Sequence, residues 1–201
     1  MPLTERRINT GQFFSSDAKF NEIYPLEIKA LASRHWTPIE VARKASDFLA
    51  NKNNVRILDI GSGVGKFCLS AAFYKPKALF YGVEQRRNLV NYAETGKRIL
   101  RLENIAFIHG NFTQLDFKNY SHFYFYNPFY ENLVGTNKID NSIDYSPELF
   151  NYYNRYLFKQ LEQKPAGTRL VTYYNMEDEM PPGYKVVDSE MNNLLKFWIK
   201  M

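Results

Sequence analysis

The stretch ILDIGSGVGKF, residues 57–67, concentrates the chemistry of this sequence. Gly61, Gly63 and Gly65 follow a short apolar run, where a strand turns tightly into a helix and the backbone can approach a ligand that side chains would exclude. The N–H groups opening such a helix donate to a phosphate or a carboxylate. The spacing then narrows the choice. A dinucleotide fingerprint, G-x-G-x-x-G, would need its third glycine at position 66, which is Lys66, so nicotinamide binding is the weaker reading. A phosphate-binding P-loop requires Gly-Lys-Ser/Thr, and here Phe67 follows Lys66. Nineteen residues beyond Gly65, Glu84 closes the run YGVE. A carboxylate at this place in a doubly wound fold accepts protons from ribose hydroxyls. Alone, Glu84 would read as a surface charge; behind this loop, ribose binding is the better reading.

A second stretch, FYFYNPFYEN at residues 123–132, sets six rings around one Asn-Pro step. Phe123 to Tyr126 read first as a buried strand, because aromatic side chains pack well on a covered pleated surface. Asn127-Pro128 reads as the turn that ends it, since proline lacks the ladder N–H and forces its predecessor out of the helical region. Glu131 reads as a surface glutamate first and a proton acceptor second.

The elements that must carry these residues follow from hydrophobic periodicity. Residues 18–33 have helical spacing broken at Pro25, and Thr37-Pro38 opens a helix to about residue 50 with Thr37 as N-cap. Apolar runs at 55–60, 78–83, 105–109, 123–126 and 169–174 predict strands. Helical patterns at 65–75, 86–102 and about 147–163 separate them. The end, 185–188 and 194–200, predicts two more strands joined by a tight polar turn. The expected fold is α/β: a doubly wound, mostly parallel seven-stranded sheet with helices on both faces and an antiparallel C-terminal hairpin. The polar connection from Asn132 to Pro147 exceeds ordinary loop lengths and reads as a substrate-contacting loop. Its Asp140 and Asp144 count against a nucleic-acid backbone lying there.

At 201 residues the chain fits one domain, and 16% aromatic against 23% charged residues exclude a disordered chain. The net charge of +5 allows an anionic partner or cofactor without demanding one. The single cysteine, Cys68, excludes an internal disulfide and reads as a small core residue in a reducing compartment. No run reaches the length of a membrane span, and the N-terminus carries no apolar secretory segment, so a cytoplasmic protein without membrane contact is expected. The three histidines lack metal-ligand spacing, so no metal is expected.

With the Asp-x-Gly-x-Gly-x-Gly string of Asp59 to Gly65 and Glu84 in place, the sequence from Thr37 to the C-terminus resembles the class I, seven-strand S-adenosylmethionine (SAM)-dependent methyltransferases, whose fold is Rossmann-like. The resemblance implies that Gly61, Ser62, Gly63 and Gly65 hold the methionine part of SAM. It implies that Asp59 orients this loop or the ammonium group, and that Glu84 binds the ribose. Asn111 and Phe112, in the segment GNF, match the family's residues beside adenine, although a core aromatic is an equal reading of Phe112. The wording DIGSGVGKFCLSAA also looks like the loop of seven-strand histone lysine methyltransferases, over the cofactor half alone.

Asn127-Pro128-Phe129-Tyr130 resembles the Asn/Asp-Pro-Pro-Tyr/Phe motif of methyltransferases that modify planar or free amino nitrogens, with Phe129 departing from the second proline. The resemblance implies that Asn127 and the Pro128 carbonyl accept the amino hydrogens while Tyr130 stacks on a flat acceptor. In HWTP, residues 35–38, Trp36 reads as a core anchor or as part of a lid over the methyl donor. Residues 1–36 are then a helical extension able to act as that lid, and residues 37–201 the methyltransferase domain. The acceptor stays open among a protein side chain, a nucleobase and a small amine. Two rival classes are weaker. A non-catalytic module of the same fold needs no glycine loop, Glu84 and Asn-Pro step together, and a nicotinamide-dependent oxidoreductase conflicts with the glycine spacing.

Overall fold

The computed structural model describes residues 10–126, 128–174 and 180–201. Three short helices, α1 (Asp17–Asn21), α2 (Leu26–Lys29) and α3 (Ala32–His35), precede α4 (Ile39–Leu49). Strand and helix then alternate: β1 (Arg56–Ile60), α5 (Lys66–Tyr74), β2 (Leu79–Glu84), α6 (Arg87–Leu100) and β3 (Ile105–His109). After β4 (His122–Phe125) come α7 (Pro147–Glu162), β5 (Arg169–Tyr173), β6 (Tyr184–Glu190) and β7 (Leu195–Lys200). The seven strands form one sheet in the order β3-β2-β1-β4-β5-β7-β6. The first five are parallel, and β7 runs antiparallel between β5 and β6. This is the expected α/β architecture.

The strand order reverses between β1 and β4, so the loops leaving their carboxyl ends flank a crevice. Period-two alternation fixes which residues line each face. Ile57 and Tyr124 enter the core shared with α4 and α5, whereas Leu58, Ile60, Phe123 and Phe125 enter the core under α7. Three rings of the aromatic run therefore serve as buried strand residues, as expected. The fourth, Tyr126, lies just past the strand and is half-buried.

The N-terminal region differs in detail from its predicted form. The chain does break at Pro25, but into three single-turn helices, whose anchors Phe20, Tyr24, Ile28 and Trp36 share the core of α4 and α5. Phe14 stacks on Phe73 with ring centres 4.1 Å apart. Thr37 does not cap α4. The helix starts one residue later, with Pro38 at the N-cap, and the Ile39 N–H is taken by Asp17 Oδ1 at 3.0 Å. The Thr37 hydroxyl instead meets the Tyr124 hydroxyl at 3.0 Å, both buried under the sheet's carboxyl end. The closing hairpin turns through Met191, Asn192 and Asn193, all left-handed, a conformation that asparagine tolerates better than most residues.

Candidate functional site

The glycine loop leaves β1 at Gly61 and enters α5 at Lys66. Its three glycines have three different physical reasons. A Cβ on Gly61 would overlap the Pro128 ring, so this position joins the loop after β1 to the loop after β4. A Cβ on Gly65 would lie 2.4 Å from Phe107 Cζ, so this glycine lets α5 pack against β3. Gly63, with φ +53°, has nothing within 4 Å of its Cβ direction and borders a cavity of about 440 Å³. That volume lies in the roughly 300–1,000 Å³ range of small-molecule sites.

Asp59, Gly61, Ser62, Gly63 and Glu84, five of the candidate cofactor residues, line this cavity together. Ser62 Oγ is buried without a hydrogen-bond partner among the described residues, an arrangement that a bound polar group would satisfy. Burial pushes the Asp59 carboxyl up to about 8, the Glu84 charge adding to the rise and a contact from Cys68 Sγ opposing it. Glu84 Oε2 accepts the Gly63 N–H at 3.1 Å, and Oε1 accepts the Arg86 N–H at 2.9 Å. Burial raises the Glu84 carboxyl too, against these hydrogen bonds and the Arg86 charge. The donor set fits a nucleoside carrying an aminoacyl tail: an acid for vicinal hydroxyls, and beside it an open glycine and an orphan hydroxyl.

The remaining predicted positions spread differently. Gly65 lies outside the cavity lining, consistent with its packing role. Asn111 caps the turn at Phe112–Gln114, its amide bonding to Gln85 Oε1 at 3.1 Å and the Tyr153 hydroxyl at 2.9 Å. Phe112 is buried and faces a smaller recess of about 40 Å³ that adjoins the main cavity at Gly61 and Glu84. Phe129 stacks on Phe112 at 5.1 Å and is 4% exposed. The residue standing where the motif has a second proline is therefore a core ring on the recess side.

At the acceptor end, Pro128 and Tyr130 border the main cavity, and Tyr130 lies parallel to Phe150 with centres 6.2 Å apart. Asn127 lies outside the described residues. Tyr126 and Tyr174 border the same cavity, their rings stacked at 6.0 Å. Tyr174 holds φ +56°, a conformation costly for a bulky residue and characteristic of functional sites.

Residues 31–37 cover the cavity from the N-terminal side. Trp36 is buried against Tyr24 at 5.1 Å, as a core anchor, and also borders the cavity. Burial lowers the His35 imidazole, with Glu131 opposing. Arg34 Nη1 donates to Asn137 Oδ1 at 3.1 Å, joining this cover to the long loop after β4. Thr136, Asn137 and Ile139 of that loop border the cavity.

Two cations at the site carried no signal of their own in the sequence. Lys66, 4% exposed, pairs with Asp17 at 2.6 Å and lies near the Trp36 ring at 5.6 Å. Burial lowers its ammonium, and Asp17 partly restores it. Arg86 is buried among Glu84, Glu131 and Asp140. Burial works against its charge, but Glu131 and Glu84 outweigh that and hold it above its ordinary value. Glu131, expected at the surface, is a mostly buried partner of Arg86, because the long loop folds back over the cavity.

Residues 51–198 match the model of a family described as "Methyltransferase domain". Two curated relatives match shorter segments. The release factor glutamine methyltransferase of Buchnera aphidicola is 29% identical over 69 residues, 34% of this chain and 25% of that protein. The tRNA (guanine-N(7)-)-methyltransferase of Microcystis aeruginosa is 44% identical over 54 residues, 27% of this chain and 26% of that protein. The matched segments thus span about a quarter of the length of these relatives. Among solved structures, magnesium protoporphyrin IX methyltransferase of Synechocystis, with bound SAM, superposes with a TM-score of 0.61 at 14% identity. That superposition covers 96% of this chain and 95% of the other, and shows a shared fold.

Proposed function

The chain belongs to the methyltransferase domain family, and from that premise we propose that it is a SAM-dependent methyltransferase acting on an amino nitrogen. SAM, when bound, supplies a methyl group on a positively charged sulfur, and transfer breaks that S–C bond as an N–C bond forms. The observation that carries the reading is one cavity bordered by Glu84 and the open face of Gly63 on the cofactor side and by Pro128 and Tyr130 on the acceptor side.

Methyl transfer is an in-line displacement, so the protein's main task is to hold an acceptor lone pair on the line of the breaking bond. Glu84 would accept the ribose hydroxyls, the loop from Gly61 to Gly63 with the Ser62 hydroxyl would hold the aminoacyl tail, and Asp59 would answer the ammonium charge. Phe112 and Phe129 back a recess of about 40 Å³, too small to enclose a purine, so the base would lie at its mouth in the main cavity, with Asn111 ordering the turn beside it. Asn127 and the Pro128 carbonyl accept amino hydrogens and aim the lone pair. Tyr130, with Tyr126 and Tyr174, supplies an aromatic wall for a planar or cationic group. The N-terminal residues through Trp36 act as a lid.

The acceptor is a protein side chain in this reading, ahead of a nucleobase or a small amine. Arg34, Lys66 and Arg86 line the cavity together with Asp59, Glu84 and Glu131, so its charge alone selects no acceptor class. The ranking rests on the short match to a release factor glutamine methyltransferase, and the comparably short match to a tRNA (guanine-N(7)-)-methyltransferase keeps a nucleobase as the second reading. Incubating the protein and methyl-tritiated SAM with fractionated lysate of a strain lacking the gene tests this. Label is expected in protein; label confined to RNA or small molecules would reassign the acceptor, and label nowhere would contradict the reading.

A further inference from the structure

We infer that Arg86 is a positioning residue that couples Glu84 to the acceptor loop, residues 128–145, so that ribose binding at Glu84 orders that loop. The inference rests on the cofactor reading above. Arg86 follows β2 by two residues and opens α6, and it is 6% exposed. Its guanidinium spends its donors in three directions: Nη1 on Glu84 Oε1 at 3.4 Å, Nε on Asp140 Oδ1 at 3.2 Å, and Nη2 on both Glu131 and the Tyr145 hydroxyl. The loop is knitted around that point. Tyr145 Oη lies 3.0 Å from Glu131 Oε2 and 2.7 Å from the Asp140 carbonyl, and the Ile139 N–H donates to Glu131 Oε2 at 3.4 Å.

The direction of coupling follows from counting acceptor sites on Glu84. A carboxylate offers about four lone-pair positions. Oε1 already takes the Arg86 N–H and Nη1, and Oε2 takes the Gly63 N–H. One position stays open for the first of two vicinal ribose hydroxyls. The second must replace the longest of these contacts, the one from Nη1. The displaced guanidinium still has Glu131, Asp140 and Tyr145 beside it, so its charge is concentrated on the loop. Occupying Glu84 therefore tightens the loop over the acceptor end, and by linkage an ordered loop favours cofactor binding.

Hydrogen exchange of the full chain with and without S-adenosylhomocysteine tests this, because the ligand-dependent difference is insensitive to a merely structural role. In the wild type the ligand should slow amide exchange at residues 61–65 and, by about tenfold, at 131–145. In Arg86→Gln the slowing at 61–65 should persist while that at 131–145 falls below about twofold. Tyr145→Phe, which keeps the arginine and removes one hydroxyl, should reduce the loop effect partially and guards against a poorly folded Arg86 variant. Wild-type-like loop slowing in both variants would overturn the coupling, as would a wild type slowed at 61–65 alone. No slowing at 61–65 in the wild type would remove the cofactor reading, and the coupling with it.

Discussion

A Cβ on Gly61 would lie 2.4 Å from the Cβ of Pro128. The loop after β1, proposed to receive the cofactor, and the loop after β4, proposed to receive the acceptor, are therefore packed to the limit of glycine's size. Gly61→Ala must move one of them, and the proline ring yields little because it is part of the backbone turn. We expect a loss of about 1–3 kcal/mol in denaturant unfolding together with weaker SAM binding.

Gly63 is the contrasting case, since its side-chain direction is open. Gly63→Arg should cost only the left-handed strain of about 1–2 kcal/mol, so the protein folds, yet the new side chain enters the cavity and SAM binding is lost. A folded Gly63→Arg protein with unchanged affinity in calorimetry would refute the loop assignment.

Asp59 gives the site a pH signature. Its carboxyl is raised from 3.8 to about 8 by burial, so the folded chain holds a proton that the unfolded chain releases. The stabilisation from this group is fully present below the unfolded value and is lost as pH rises through about 8. The melting temperature of wild type minus that of Asp59→Asn should accordingly fall between pH 5 and pH 8. SAM affinity should rise over the same window, because a cationic ammonium favours the carboxylate form. A flat difference would place Asp59 outside this role.

Much of this was legible in the sequence, for local reasons. Strands β1, β3 and β4 are short apolar runs closed by glycine or Asn-Pro, and the loop residues Asp59 to Gly63 sit where strand-to-helix geometry demands them. The contacts of Arg86 were not legible, because its partners Glu131, Asp140 and Tyr145 lie 45, 54 and 59 residues away and meet it only when the long loop folds back. The same holds for Lys66 and Asp17, brought together by the packing of Phe20 and Trp36. Thr37 looked like a cap because Thr-Pro usually opens a helix; the Tyr124 hydroxyl, 87 residues away, competes for it.

Asp17 holds the N-terminal cover from two sides, through Lys66 and the Ile39 N–H. Asp17→Ala leaves a buried ammonium and a helix N–H without this partner. The expected cost is about 1–3 kcal/mol in denaturant unfolding. Proteolysis should then reach residues 10–36 sooner, and unchanged protection would mean that the aromatic anchors alone hold the cover.

At the acceptor end, Asn127→Ala should lower methyl incorporation about a hundredfold through loss of aim while leaving SAM affinity within a few-fold. Tyr130→Ala should raise the acceptor KM by the equivalent of about 0.5–2 kcal/mol. Retained activity in Asn127→Ala would move the acceptor site elsewhere.

Calorimetric titration tests directly whether the cavity bordered by Gly63 and Glu84 binds SAM. A single-site isotherm with SAM is expected, weakened about 10–100-fold in Glu84→Gln through loss of charge-assisted hydrogen bonds to ribose. No heat and no thermal shift with SAM, or a melting shift with NAD where SAM gives none, would contradict it.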